Sequence, residues 1–262
     1  MDDPRLSLAM SLAESAGALL LAGLGRANVK HKGAIDLVTE YDLRSERLLI
    51  EGIRHSFPSD SILSEESGGL GSGEICWVID PLDATTNFAH GLPHFCVSIA
   101  CWEGDHPIFG VVFDPTRSEL FHAISGAGAW LNGRALHVSS VERLTEGLLA
   151  TGFPYDIRSN PDNNLDQFAH MATKALALRR FGSAALDLAY VAAGRFDAYW
   201  EVSSYPWDWA AGLILVQEAG GRVTTIDGRV PTTLEAISIL ASNDLIHGEV
   251  LQALAGASAG QE

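Results

Sequence analysis

Four short segments of this chain bring carboxylates to points where regular structure starts or stops. LVTEYD carries Asp42, and LSEES carries Glu65 and Glu66. WVIDPLDATTNF carries Asp80 and Asp83, and PWDWAAG carries Asp208 between two tryptophans. Each acid has an ordinary reading by itself. Asp42 and Asp208 suit the first turn of a helix, where the backbone dipole favours negative charge. Glu65 and Glu66 can be loop charge, and Asp80 a turn residue before Pro81. Together they point elsewhere. Asp80 follows the apolar run Trp77-Val78-Ile79, and Asp208 lies between Trp207 and Trp209. An unpaired carboxylate against such neighbours is costly. Carboxylates that share a site repel, and a hard divalent cation such as Mg²⁺ resolves the repulsion while keeping positions for water and phosphate oxygens. The turn after Asp83 opens a helix whose free N–H groups can seat a phosphate. Thr85, one turn from the acids, can hold a water. That chemistry is metal-assisted hydrolysis of a phosphate ester.

The elements that must position these groups can be read from periodicity. Leu6, Ala9, Met10, Ala13, Leu20 and Leu24 have helical spacing over about 5–25. Thr39 followed by Asp42 fits a capping box. It opens a helix over about 40–56 that is expected to bury Leu43, Leu48, Leu49 and Ile53 and to end at Pro58. Gly68-Gly69-Leu70-Gly71-Ser72-Gly73 reads as a flexible loop. With no strand predicted before it and no helix after it, it is not a nucleotide-binding glycine motif. From 75 to about 138 the texture is β, in the runs ICWVID, FCVSIACWE, IFGVVFD, ELFHAI and GAWLNG. After about 140 strands and helices alternate: strands at LLATGF, LRRFG, FDAYWE, RVTTI and AISILAS, helices at 163–178, 184–193 and 206–219, and a last helix capped by Asn243. The pattern predicts a mixed α+β and α/β fold. Residues 1–140 would carry most of the acids. Residues 141–262 would carry Asp208, the two parts forming one compact unit with a soft boundary.

The whole chain sets limits. Its 262 residues suffice for a sizeable core, and its formal net charge is −16. Arg179-Arg180 is the nearest thing to a basic cluster, which argues against a general nucleic-acid binder. No apolar run reaches about 18 residues and the N-terminus lacks signal-peptide features, so a cytoplasmic protein outside the membrane is expected. Cys76, Cys96 and Cys101 lie in apolar strand-like runs and read as buried free thiols. His90 and His94 have Pro93 between them, which speaks against a helical zinc pair. Trp207 and Trp209 read as packing residues.

In order and spacing, LVTEYD, SEES, WVIDPLDATTNF and PWDWAAG resemble the inositol monophosphatase family, within the lithium-sensitive, Mg²⁺-dependent sugar-phosphatase superfamily. The likeness runs on through GVVFDPTRSELFHAISGAGAWLNG and RRFGSAALDLAYVAAGRFDAYWE, from Lys32 to about Asn243, and looks most like the bacterial enzymes. It implies an alternating αβαβα layered sandwich, usually dimeric. It implies two or three Mg²⁺ held by Glu65, Asp80, Asp83, Asp208 and the carbonyl of Leu82, with Glu66 acting through a water. It implies that Asp42 and Thr85 activate the attacking water. For the substrate it implies contacts from Asp83, Ala84, Thr85, Gly182, Ser183, Ala184, Glu201 and Asp208, with Lys32 on a mobile loop. The implied reaction is hydrolysis of a small polyol phosphate, foremost myo-inositol 1-phosphate. Fructose 1,6-bisphosphate, histidinol phosphate and 3′-phosphoadenosine 5′-phosphate are alternatives with the same chemistry. A non-catalytic dimeric regulator of the same fold is the alternative of another class. Two departures stand out. Ser183 replaces a usual threonine, and Ala84 replaces a usual glycine. Because Ala disfavours φ > 0, Ala84 is expected at negative φ, its methyl turned from the phosphate seat and its N–H aimed inward.

Overall fold

The computed structural model describes residues 3–27, 29–31 and 37–258. Helix α1 (Pro4–Gly23) is capped by Asp3, whose carboxylate accepts from the Arg5 N–H at 2.8 Å. A short hairpin, β1 (Val29–His31) and β2 (Leu37–Thr39), leads into α2 (Glu40–Ser56). An eight-stranded sheet follows from β3 (Ser61–Ser64), β4 (Gly68–Leu70), β5 (Ile75–Asp83), β6 (Cys96–Glu103), β7 (His106–Asp114), β8 (Glu119–Ile124), β9 (Gly128–Leu131) and β10 (Arg134–Ala135). The one-turn helix α3 (Thr85–Ala89) is inserted between β5 and β6. The strand order is β10-β9-β8-β7-β6-β5-β3-β4, antiparallel except for the β3–β5 pair.

The rest of the chain contributes β11 (Leu148–Thr151), α4 (Leu165–Met171), β12 (Ala177–Arg179), α5 (Ala184–Ala192), β13 (Ala198–Ser204), α6 (Pro206–Glu218), β14 (Arg222–Thr225), β15 (Ile237–Ser242) and α7 (His247–Ser258). The five strands form a second sheet in the order β12-β11-β13-β15-β14. Layers then alternate. Helices α1 and α2 cover one face of the first sheet, and α5 and α6 lie between the sheets. Helices α4 and α7 close the outer face of the second sheet over Leu149, Trp200 and Leu240. Helix α6 is apolar almost all round because it is covered on both sides. It approaches β7 so closely that a Cβ on Gly110 would stand 2.5 Å from the Ala211 carbonyl oxygen.

Several expectations need correction. Residues 68–70 are not loop but strand β4, paired with β3, and β3 is a strand that precedes the glycines. The helix expected at 163–178 stops at Met171. A turn follows, and the strand expected at LRRFG forms as the edge strand β12 at 177–179, paired with β11. Leu43 is 47% exposed, lying on the solvent side of α2 away from Leu49 and Ile53. Helix α1 is long and apolar enough to cross a membrane by length and composition, although no unbroken apolar run marks it. Here it is a core helix, burying Leu6, Ala9, Ala13, Ala16 and Leu20 against the first sheet and α2.

Candidate active site

Asp80 and Asp83 are three residues apart on one strand. In a regular strand that spacing puts them on opposite faces. The structure removes the conflict with a bulge. Asp80 pairs with Ser98 and Asp83 with Cys96, so three steps on β5 match two on β6. Both carboxylates therefore point to the face covered by α5 and α6. Pro81 and Leu82 form the extra length. The Leu82 N–H closes a local turn by donating to Asp80 Oδ1 at 2.9 Å.

Helix α2 supplies the next piece. The expected capping box is present. Asp42 is fully buried, and its Oδ2 accepts from the Thr39 N–H at 2.8 Å and the Thr39 hydroxyl at 2.6 Å. Its other oxygen, Oδ1, accepts from the Thr85 hydroxyl at 2.7 Å. The Leu82 carbonyl is a longer second acceptor at 3.2 Å, so the Thr85 proton is directed mainly at Asp42, and a lone pair of Oγ1 can accept from a water. Burial raises the Asp42 pKa above the ordinary carboxylate value, and the hydrogen bonds from Thr39 and Thr85 oppose the rise. Two further α2 side chains fix the geometry. Ser45 donates to the Pro81 carbonyl at 2.7 Å. Glu46 accepts from the Ser64 hydroxyl and from the N–H and hydroxyl of Ser67. Glu46 thereby ties down the turn that carries Glu65 and Glu66.

Glu65, Asp80, Leu82, Asp83, Thr85 and Asp208 line one cleft of about 350 Å³. Asp208 comes from the start of α6, where its carboxylate accepts from the Tyr205 N–H at 2.7 Å. Burial raises the pKa of Asp80 well above the ordinary value, and the charges of Glu65, Asp83 and Asp208 push it further. Burial likewise raises Asp208, with Glu201, Asp83 and Glu65 adding to it. Among the described residues no three Asp, Glu, His or Cys side chains are drawn up around one point as a ready ligand set. The donor chemistry nevertheless fits a hard cation. All the donors are oxygens, they crowd one cleft, and their mutual repulsion is relieved by positive charge.

Asp83 differs from its neighbours because its Oδ2 is hydrogen bonded across the molecule. It accepts from the Ser183 hydroxyl at 2.5 Å and the Ala185 N–H at 2.9 Å, at the N-terminus of α5. The Cys96 thiol lies 3.6 Å from the same oxygen. Burial raises the Asp83 pKa, and these bonds pull against it. Asn87 braces the same junction, donating to the carbonyls of His94 and Phe181, each at 2.8 Å.

A second cavity of about 260 Å³ opens beside the first and shares Asp83, Ala84 and Asp208 with it. Gly182, Ser183, Ala184 and Glu201 line this one. Glu201 accepts from the Tyr199 hydroxyl and lies over Gly152, where a Cβ would fall 2.1 Å from Glu201 Oε1. A side chain at position 152 would push the Glu201 carboxylate from this position. Burial lifts the Glu201 pKa to about 7, against the Tyr199 hydrogen bond.

Most sequence-derived candidates thus come together. Glu66 is half-buried in the turn after β3 and is not among the residues lining either cleft. Lys32 lies outside the described residues. Trp207 is not simple packing. It lines the acidic cleft and stacks on Tyr205 at 5.0 Å, whereas Trp209 is fully buried against Trp102. Sequence reading missed Glu46 and Asp187, and it gave Cys96 as a buried free thiol without its place beside Asp83. Asp187 had a signal, being the one charged residue in the apolar helix AALDLAYVA.

Ala84 requires a correction. It sits at φ 77°, ψ 49°, in the left-handed region, and not at negative φ. The bulged end of β5 must turn at once into α3, and Ala84 is the residue preceding that helix. Tertiary geometry overrides the residue's own preference. Ala in this conformation is disfavoured by about 1 kcal/mol relative to glycine. Ala84→Gly is therefore expected to stabilise the protein by about that amount, read as a raised urea midpoint at constant m. An unchanged or lowered midpoint would contradict the strain.

The inositol monophosphatase family profile matches residues 1–259. The chain belongs to that family. Inositol-1-monophosphatase of Synechocystis sp. is 46% identical over 254 residues, 95% of this chain and 88% of the relative. Nus factor SuhB of Pseudomonas aeruginosa is 47% identical over 234 residues, 86% of each. The inositol monophosphatase structure from Anabaena (Nostoc) sp. superposes with a TM-score of 0.88 at 45% identity, covering 97% of this chain and 96% of that one. The layered mixed α/β fold is thus that of the inositol monophosphatases, a generally metal-dependent family of phosphatases.

Proposed function

We propose that this protein is a Mg²⁺-dependent phosphomonoesterase that hydrolyses myo-inositol 1-phosphate to inositol and phosphate. The observation that carries the reading is the Thr85–Asp42 hydrogen bond, aimed at a cleft ringed by Glu65, Asp80, Asp83 and Asp208. Those four acids and the Leu82 carbonyl would hold two or three Mg²⁺, with Glu66 contributing through a water. Bound magnesium would neutralise the phosphate and lower the pKa of water. Thr85 would orient the attacking water through its free lone pair while Asp42 holds the threonine proton, so that the water meets phosphorus in line with the leaving oxygen. The N–H groups at the start of α3, next to Ala84, would seat the phosphate. Asp83 would stand beside the departing alkoxide. Gly182, Ser183, Ala184 and Glu201 would face the polyol. Lys32 would complete the site from its loop.

In this reading the enzyme acts in the cytoplasm as a homodimer and is inhibited by lithium. Parts 1–140 and 141–262 meet at the site, the first giving most of the acids and the second Asp208. The second reading, a non-catalytic regulator, draws on relatives that bear the name Nus factor. The complete set of acids with Thr85 and Asp42 favours the enzyme.

The test is phosphate release with and without Mg²⁺ from myo-inositol 1-phosphate, fructose 1,6-bisphosphate, histidinol phosphate and 3′-phosphoadenosine 5′-phosphate. The inositol ester is expected to be the best substrate. Release from none would leave the regulator. Asp83→Asn should abolish release yet leave the fold intact, because the amide oxygen can still accept from Ser183 and Ala185. Full activity in that variant would remove Asp83 from the metal set.

A further inference from the structure

Asp187 is 1% exposed, yet it lines the second cavity beside Glu201. Its Oδ1 has no hydrogen-bond partner among the described residues. Its nearest charges are Asp83, Glu201 and Arg180. A buried carboxyl oxygen without a partner is destabilising. Native proteins satisfy such groups almost everywhere. Its position excludes two structural roles. It is the fourth residue of α5, and the cap of that helix is Ser183, not Asp187. Arg180 is exposed and is not hydrogen bonded to it. What remains is the cavity, with Glu201 across it and the phosphate side at Asp83.

We propose that Asp187 is a substrate-positioning residue, accepting a hydrogen bond from a hydroxyl of the bound polyol and, with Glu201, reading the arrangement of its hydroxyls. Two acids lining one cavity impose a geometric test on the ring. A hydroxyl of the wrong configuration leaves a buried acceptor unpaired, and sites built this way discriminate strongly. The unliganded protein bears the cost of the unpaired group, and substrate relieves it.

The inference rests on the phosphatase reading above, and the experiment separates the two. Steady-state hydrolysis of myo-inositol 1-phosphate is measured for the unaltered protein, Asp187→Asn and Asp187→Ala, with inorganic phosphate as competitive inhibitor and thermal unfolding as a control. Asp187→Ala is expected to raise KM by about tenfold, the size of one lost charge-assisted hydrogen bond. Asp187→Asn, which keeps one acceptor, should fall between. The phosphate inhibition constant should stay unchanged, since phosphate alone does not reach the polyol wall. The unfolding midpoint should not fall in either variant, and should rise in Asp187→Ala. An unchanged KM overturns the inference. So does an equal rise in KM and the phosphate constant, which would place Asp187 behind the metal and phosphate seat. A lowered midpoint in both variants makes Asp187 a structural residue and overturns it as well. No hydrolysis by the unaltered protein overturns the phosphatase reading and this inference with it.

Discussion

Asp80→Asn is expected to lower kcat by about 10³-fold or more while making the metal-free protein more stable. On the proposed metal-dependent reading, the activity loss follows from removing the charge of one of the proposed ligands from a site whose chemistry depends on fixed electrostatics. The stability gain follows from the same burial. Asp80 is 2% exposed and faces the charges of Glu65, Asp83 and Asp208. Among the described residues it is relieved by a hydrogen bond from the Leu82 N–H. Asparagine keeps that acceptor and removes the charge, so a gain of about 1–2 kcal/mol is expected in EDTA at pH 8. The sign with pH can be worked out. A carboxyl whose folded-state pKa lies above its unfolded value favours the folded state at low pH, and that contribution is lost as pH rises through the folded value. For Glu201 the window runs from about 4.5 to about 7. For Asp80, Asp83 and Asp208 it begins near the ordinary carboxylate value and extends upward. The metal-free protein should therefore unfold at higher temperature at pH 5 than at pH 8. Mg²⁺ should raise the midpoint strongly at pH 8 and weakly at pH 5, by mass action on the folded state. Asp80→Asn should blunt both dependences. Thermal scans at the two pH values, with and without Mg²⁺, check this. A destabilised Asp80→Asn protein in EDTA would contradict it.

Thr85→Ala is the second large effect. It should lower kcat by about 10²–10⁴-fold, the range for a group that handles a proton in the transition state, with little change in KM. The hydroxyl links Asp42 to the cleft. Its loss removes that bond while Asp42 stays buried and bonded to Thr39. Thr85→Ser should keep most of the rate, because the oxygen is what matters. Mg²⁺ should still raise the thermal midpoint of Thr85→Ala as it does for the unaltered protein, since the carboxylates are untouched. A Thr85→Ala enzyme with near-normal kcat would exclude the Thr85–Asp42 pair from water activation.

Some of this was written in the chain order itself. The capping box at Thr39 and Asp42 depends on neighbours three residues apart, so the sequence predicts it and the structure has it. The acids at element ends were visible for the same reason. An abrupt change from apolar to charged residues marks the end of a buried strand whatever the rest of the molecule does. The β texture of 75–138 held because alternation and β-branched residues dominate there. Where local signals competed with pairing they failed. Residues 172–176 were expected to continue a helix but lie in the turn that leads to β12, and Gly68–Leu70 had loop composition but found β3.

What the sequence determined by itself is part of the inventory and most of the elements: the acids at element ends, the Thr85 hydroxyl, several helix starts. Those depend on spacings of two to four residues. Only the tertiary structure decided how they meet. The bulge opposite Cys96 and Ser98 turns Asp80 and Asp83 to one face, and it exists because of strand pairing. The reach of Asp83 to Ser183 and Ala185 spans 100 and 102 residues. Asp187 enters the cavity because α5 packs between two sheets. Ala84 lies at positive φ because a strand end and a helix start, each fixed by distant contacts, leave it no other turn. Contacts of that range leave no periodic trace in the chain, which is why they had to be seen in the fold.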